Sequence, residues 1–167
     1  QDYMNKNKDK YPKTVLEVRK ADQIKEKKKV DTVVINSVVQ YFPSLAYLER
    51  ILELSISLIS GSGQIVIGDV RDSRLISVLK QEIILKKETR ILNKNEWELE
   101  LNRHILSENE LCIHPDFFIG LQNKYKKITY VEIFWKEGEF INELSQYRYT
   151  VILHVNKKKK RERISWE

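Results

Sequence analysis

Two apolar segments separated by one amphipathic helix constrain the fold of this chain more than any other feature. Residues 32–35 form an unbroken β-branched run, and residues 64–68 contain a second apolar run; both are typical of strands covered on both faces in a parallel sheet. Between them, Ser44 is a suitable N-cap, and apolar residues recur at helical spacing as far as the glycine-rich residues 61–63. A strand, a helix and a strand in succession almost always form a right-handed crossover within a parallel sheet, so the sequence predicts an α/β fold.

The rest of the chain adds helices and then a pair of strands to this prediction. Residues 72–107 have helical character, and their second, polar-rich piece covers residues 94–106. Residues 128–135 and 149–155 have the character of strands, and side chains in the second alternate between two faces. The Gly138 region joins them, so we expect an antiparallel pair that closes the sheet. The predicted architecture is a mixed α/β sandwich with a mostly parallel sheet.

The charge of the chain is concentrated at its two ends. The formal net charge is +6, but residues 1–29 carry 10 basic and 5 acidic side chains, and residues 156–167 carry 6 and 2. The residues between them hold 14 basic and 17 acidic side chains, a net charge of −3. Basic flanks of this kind are more often solvated than bound to nucleic acid, and no basic stripe with interleaved aromatic side chains is present. We therefore expect no nucleic-acid partner.

Length and cysteine content limit the class of protein further. A chain of 167 residues fits one domain with one core. The single cysteine, Cys112, excludes an internal disulfide, and no apolar run approaches the roughly 18 residues that a membrane span requires. No signal peptide is visible, so we expect a cytoplasmic location and no membrane partner. The spacing of His104, His114 and His154 suits no zinc site, so we expect no bound metal.

Polar residues follow both buried-type strands, at the position where open α/β sheets bind their ligands. Residues 36–42 follow the first strand, and residues 68–71, Gly-Asp-Val-Arg, include the end of the second. Two interpretations stay open on spacing alone. Either these residues line a ligand pocket, or Asn36 and Ser37 only cap a turn while Asp69 makes a local salt bridge with Arg71 or caps a helix.

Four sequence blocks occur in a fixed order along the chain. They are DTVVINSVVQYFP at residues 31–43, GDVR at residues 68–71, ENELCIHPDFF at residues 108–118 and NELSQYRYTVILHV at residues 142–155. Together they resemble the methyltransferase domains embedded in nonribosomal peptide synthetases, over roughly residues 14–155. The resemblance implies a Rossmann-like class I methyltransferase fold. It also implies transfer of the methyl group of S-adenosylmethionine to the α-amine of an aminoacyl group, which a carrier protein holds as a thioester.

The resemblance also implies roles for single residues. Asp22 falls where the family places an acid at the adenine ring, although an ordinary surface aspartate is an open alternative. The residues implied on the loop at the methionine end of the cofactor are Asn36, Ser37 and Val38. Those implied in catalysis are Gln40, Tyr41, Asp69 and Glu143, and those implied in substrate binding are Arg71, Asn142 and Arg148. Gln40, Tyr41 and Asn142 have the chemistry to orient the amine, and Asp69 or Glu143 to accept its proton. For Tyr149 in the last block, sheet packing is the favoured interpretation.

The chain departs from the family pattern at its start. These domains begin with a strand that ends in a glycine-rich turn, followed by a second strand that ends in an acid for the ribose hydroxyls. Neither feature is present here, and the first of the five glycines in this chain is Gly61, so no glycine precedes the strand at residues 32–35. We therefore interpret residues 1–155 as a methyltransferase domain without its N-terminal cofactor-loop unit, and residues 156–167 as a basic linker. The missing strands would lie between a β-prone stretch at residues 15–18 and the strand at residues 32–35, which leaves an exposed strand edge.

Two functions are expected from these observations. The first is an N-methyltransferase of a peptide-synthesis assembly line, whose partners are a peptidyl carrier protein domain and an adjacent adenylation domain. In such an enzyme residues 72–118 would form a lid over the acceptor. The second is a catalytically inactive remnant that serves as a linker or interaction module, because it has lost the cofactor loop.

Overall fold

A five-stranded sheet organises the chain in the computed structural model, which describes residues 13–15, 17–24, 29–88, 90–136 and 140–157. The strands are β1 (Val30–Asn36), β2 (Ile59–Asp72), β3 (Cys112–Ile113), β4 (Ile128–Trp135) and β5 (Arg148–Val155). The α-helices of the described residues are α1 (Leu45–Leu58), α2 (Ile76–Lys87), α3 (Lys94–Leu106), α4 (Pro115–Lys124) and α5 (Glu143–Gln146).

The strands follow the order β1-β2-β5-β4, and the short β3 pairs with the end of β2. β1 and β2 are parallel, with Val34 opposite Val66 and Asn36 opposite Gly68. β5 is antiparallel to both of its neighbours, β2 and β4. The predicted strand–helix–strand unit and the predicted antiparallel pair are therefore confirmed. The Gly138 region that joins β4 to β5 lies outside the described residues, as does most of the predicted linker.

Local signals explain where the helices begin. The Ser44 hydroxyl accepts a hydrogen bond from the Tyr47 backbone N–H at 3.2 Å, which starts α1 as predicted. α1 ends at Leu58, however, and the glycine-rich residues 61–63 belong to β2 instead of stopping the helix. α3 has the predicted bounds and begins with a capping box. α4, which was not predicted, begins after His114 with Pro115 in its first turn.

The core lies on one face of the sheet, against α1 and α4. It includes Ile35, Leu48, Leu52, Ile65, Ile67, Phe118, Leu121, Val151 and Leu153. On the opposite face a row of aliphatic side chains crosses β1, β2 and β5 at Val34, Val66 and Ile152. Val34 is 64% exposed, and the other two are partly exposed. The prediction that residues 32–35 are covered on both faces is therefore wrong for the described part of the chain.

The β-prone stretch at residues 15–18 does not form a strand among its described residues. Residues 15, 17 and 18 belong to no strand, and the side chains of Val15 and Val18 are exposed; residue 16 is not among the described residues. A strand needs a neighbour to satisfy its backbone, and no described strand lies beside this stretch. The exposed edge instead belongs to β1, whose outer side pairs with no other described strand.

Candidate functional site

The carboxyl ends of β1 and β2 bring three of the predicted cofactor and catalytic residues together. Ser37 follows β1, and its hydroxyl donates a short hydrogen bond to Asp69 Oδ2. Its backbone N–H donates to the Gly68 carbonyl at 3.2 Å, and the Asn36 amide donates to its hydroxyl at 3.1 Å. Ser37 and Asp69 both have positive φ values, 56° and 60°. Such conformations are rare outside glycine and persist where the surrounding structure enforces them, often at functional sites.

Gln40 links this cluster to the end of β2. This residue is only 3% exposed, and its side-chain amide donates to the Ser37 carbonyl at 3.1 Å. The Gln40 carbonyl accepts from the Leu111 N–H at 2.8 Å, and the next residue, Cys112, pairs with Arg71 across β2 and β3. Gln40 and Arg71 therefore lie at the same end of the sheet, as a shared pocket requires. Gln40 Oε1 is buried and has no hydrogen-bond partner among the described residues.

Asp69 is held by a residue that the sequence did not predict. Lys136, directly after β4, donates to Asp69 Oδ1, so each carboxylate oxygen has its own donor. Burial alone would raise the pKa of Asp69, but the hydrogen bonds from Lys136 and Ser37 outweigh burial and hold the pKa below its ordinary value. A carboxyl of this kind stabilises the fold above its unfolded pKa of about 3.9, and this stabilisation is lost as the pH falls through the folded pKa.

Arg71 and Arg148, two predicted substrate-binding residues, lie side by side as the buried part of an ion cluster that reaches the surface at Glu143, whose side chain is 44% exposed. They are 6% and 7% exposed. One oxygen of Glu143 accepts from both guanidinium groups, at 2.5 Å from Arg71 and 2.8 Å from Arg148. Glu110 lies 2.7 Å from Arg71 and 3.5 Å from Arg148. The local salt bridge between Asp69 and Arg71 that spacing left open is therefore not formed, because each group has other partners.

Glu108 completes the cluster from the loop before β3. Its carboxylate lies 3.3 Å from Arg71 and 2.8 Å from Lys80 on α2, and it accepts from the Glu110 N–H at 2.8 Å. Burial would raise the pKa of Glu108, but the hydrogen bonds from Lys80 and the Glu110 backbone, together with the Arg71 charge, lower it. Glu108 and Glu110 lie in the third sequence block, whereas Lys80 lies on α2, outside the four blocks. The sequence did not predict these three residues as members of the site, because only the fold brings them close to Arg71.

The remaining predicted residues have plainer surroundings. Asn142 caps the short helix α5, where its side chain accepts from the Ser145 N–H at 3.1 Å. Tyr149 is buried and its hydroxyl donates to the Ile113 carbonyl at 2.9 Å, which agrees with a packing role. Tyr41 is 72% exposed, and Val38 is also exposed. Asp22 lies on an exposed 3-10 turn that contacts α1, and no described hydrogen bond joins it to the Ser37–Asp69 cluster.

Cys112 carries a partly buried thiol next to the ion cluster. Burial raises the pKa of its thiol to about 11, and the charge of Glu108 adds to the effect. We expect iodoacetamide to alkylate Cys112 at pH 8 at least about tenfold more slowly in the folded chain than in the chain unfolded by denaturant, because little thiolate is present. Mass spectrometry of timed samples measures both rates. Equal rates in the two states would show that the fold does not protect the Cys112 thiol.

The sequence is similar to segments of two large synthetases. It is 38% identical over 125 residues to chondramide synthase cmdD of Chondromyces crocatus, and 37% identical over 125 residues to a probable non-canonical nonribosomal peptide synthetase, CymA, of Salinispora arenicola (strain CNS-205). Each match covers 75% of this chain, but the chain spans only 3% and 2% of these curated relatives. No protein-family model matches the chain.

The fold is similar to that of two solved structures. An O-methyltransferase family protein from Burkholderia thailandensis has a TM-score of 0.54 at 11% identity, over 95% of this chain and 41% of that chain. The plantazolicin methyltransferase BamL, solved with a triazolic desmethylPZN analog and SAH, has a TM-score of 0.52 at 13% identity, over 83% of this chain and 59% of that chain. At such identities the likeness shows the fold alone.

The predicted resemblance agrees with both comparisons, because the sequence relatives are peptide synthetases and the fold is that of methyltransferases. The Rossmann-like class I methyltransferase fold is confirmed, because the five-stranded mixed sheet aligns with methyltransferases over most of the chain. Within the described part of this synthetase-related chain, no helix is both long enough and apolar enough to cross a bilayer. The same residues contain no group of three or more His, Cys, Asp or Glu side chains that could hold a metal ion.

Proposed function

We propose that the chain takes part in S-adenosylmethionine-dependent N-methylation of the α-amine of an aminoacyl thioester, which is carried by a peptidyl carrier protein domain. The similarity to nonribosomal peptide synthetases supports the carrier and an adenylation domain as neighbours, and the fold supports methyl transfer. The observation that carries the proposal is the cluster of Asn36, Ser37 and Asp69 at the carboxyl ends of two parallel strands, where α/β sheets bind ligands.

The donors and acceptors of this cluster suit the methionine end of the cofactor. An ammonium group needs acceptors, which the Asp69 carboxylate and the amide oxygen of Gln40 offer, and a carboxylate needs donors such as the Asn36 amide. Gln40 Oε1 is buried and unpaired among the described residues, so an N–H from a ligand would remove a desolvation cost. Asp22 remains the proposed residue for the adenine ring. When bound, the cofactor supplies an electrophilic methyl group on a sulfonium.

The residues of the chain then mainly position and shield the amine. An α-amine has a pKa of about 8, so a useful fraction is neutral at cell pH and no strong base is needed. Gln40, Tyr41 and Asn142 are the proposed orienting groups. Asp69 is a weak proton acceptor because its pKa is held low, so we assign it an electrostatic role. Glu143 already accepts from two guanidinium groups and therefore holds Arg71 and Arg148 in place on the acceptor side.

The outer edge of β1, which pairs with no other described strand, indicates how the site would be completed. We propose that the cofactor-loop unit, a glycine-rich strand–helix–strand, pairs with the outer edge of β1 and covers the row formed by Val34, Val66 and Ile152. Residues 1–155 are then the acceptor-side part of the domain, followed by the basic linker. The same outer edge and open face also favour a second candidate function, an inactive remnant that binds another segment through this surface.

Binding of S-adenosylhomocysteine separates the two functions. We expect calorimetry to detect binding by a chain extended upstream with a cofactor-loop unit, and Asp69→Asn to weaken it about tenfold, because one charge-assisted hydrogen bond is lost. Asp116→Asn, an exposed aspartate in the first turn of α4, is the matched control and leaves the affinity unchanged. If neither the chain alone nor the extended chain binds, the enzyme is excluded in favour of the remnant.

A further inference from the structure

Lys136 connects β4, the edge strand opposite β1, to the loop after β1 on which we place the cofactor. It follows β4, which is separated from β2 by β5, and Trp135, Tyr149 and Val70 are paired across these three strands. The Lys136 ammonium therefore reaches Asp69 at the carboxyl end of the sheet. Ser37 approaches the same carboxylate from β1. One carboxylate thus joins β1, β2 and β4.

Asp69, the partner of Lys136, lies at an irregular position of the β2 backbone. The pairing of β2 with β5 shifts register between Ile67 and Val70, so Asp69 lies in a bulge with φ at 60°. Its side chain is buried, and Lys136 is the one cation in ion-pair contact with it among the described residues. Arg148 on β5 adds a more distant positive charge. Without Lys136, a buried carboxylate would lack a direct counterion, which favours either its neutral form or a move toward water.

We propose that Lys136 is a positioning residue that fixes Asp69 and, through the Ser37 hydroxyl, the loop after β1. A role of Lys136 in methyl transfer rests on the function proposed above, whereas its effect on the positions of Asp69 and Ser37 does not. A strand-end lysine at this position therefore sets the shape of the surface on which we place the methionine end of the cofactor. The contact spans 67 positions, so no local sequence pattern indicates it.

The full chain tests the proposal with Lys136→Met and the charge-conserving Lys136→Arg. Carbon-13 NMR gives the titration midpoint of the Asp69 carboxyl, and hydrogen exchange gives the protection of the Ser37 N–H that donates to Gly68. In Lys136→Met we expect the Asp69 midpoint to rise above that of the wild type, because the hydrogen bond and the charge of Lys136 are lost, and the Ser37 amide to exchange on the order of tenfold faster. Lys136→Arg restores both readings, and Lys126→Met, on an exposed turn, changes neither.

Two results overturn the proposal. An unchanged Asp69 midpoint in Lys136→Met means that Lys136 does not hold this carboxylate, and unchanged Ser37 exchange means that the loop is fixed by other contacts. If Lys136→Met does not fold, Lys136→Gln keeps a hydrogen-bond donor without the charge and must still raise the midpoint. Failure of the proposed function is seen separately. In that case the extended wild-type chain does not bind S-adenosylhomocysteine, but the Lys136 variants still give the expected NMR result.

Discussion

Replacing Gly63 by alanine is expected to lower the free energy of unfolding by about 3 kcal/mol, the upper part of the range for overpacking a filled site. A Cβ at this position would overlap the backbone carbonyl oxygen of Asp31 and lie 2.7 Å from Ile59 Cγ2. The first of these atoms belongs to the main chain of β1 and has no rotamer that relieves the overlap. The clash falls where the pairing of β1 with β2 shifts register, between Val30 and Thr32.

Gly120→Ala is the matched control for this change. Gly120 lies in α4, and a Cβ there meets no atom within 4 Å. Alanine is the better helix former by about 1 kcal/mol, so the control is expected to stabilise the fold slightly. Urea unfolding followed by circular dichroism compares the two variants with the wild type. A Gly63→Ala midpoint at or above that of the wild type would show that β1 does not pack on β2 as described.

Features set by short-range sequence patterns were the ones that could be predicted. The serine cap of α1, the bounds of α3 and the alternation along β5 each depend on neighbouring residues, and each is confirmed. Residues 15–18 show why propensity alone is insufficient. A β-prone stretch forms a strand only when a partner strand satisfies its backbone, and no described strand does so here.

The sequence predicted which strand ends form the candidate site, but not the ion-pair partners of its charged residues. Asn36, Ser37 and Asp69 were placed together because the carboxyl ends of parallel strands meet at one edge of a sheet. Lys136 also follows a strand at that edge, so the same argument applied to β4 was the available signal. The partners of Arg71 could not be chosen in advance, because Glu108, Glu110 and Glu143 are separated from it by 37 to 72 positions in a chain with many glutamates.

Replacing Arg71 by methionine is expected to lower the free energy of unfolding by about 3 kcal/mol, the lower end of the range for breaking a buried ion pair. Methionine keeps much of the packing of the arginine stem but removes the charge shared by three glutamates. The loss stays at the lower end because Glu108 retains Lys80, and Glu110 and Glu143 retain Arg148.

Arg103→Met is the control for removing an arginine charge as such. Arg103 lies on α3 and contacts Glu100 at 2.9 Å, but its side chain is 68% exposed. An exposed pair of this kind contributes roughly 0.5 kcal/mol or less, so the control is expected to unfold close to the wild type. Urea unfolding of both variants gives the comparison.

The second guanidinium provides a further test, since Arg71 and Arg148 share Glu110 and Glu143. The combined Arg71→Met and Arg148→Met variant should therefore depart from the sum of the two single losses. Additive losses, or an Arg71→Met loss no larger than that of Arg103→Met, would mean that the two arginines do not act as one buried cluster.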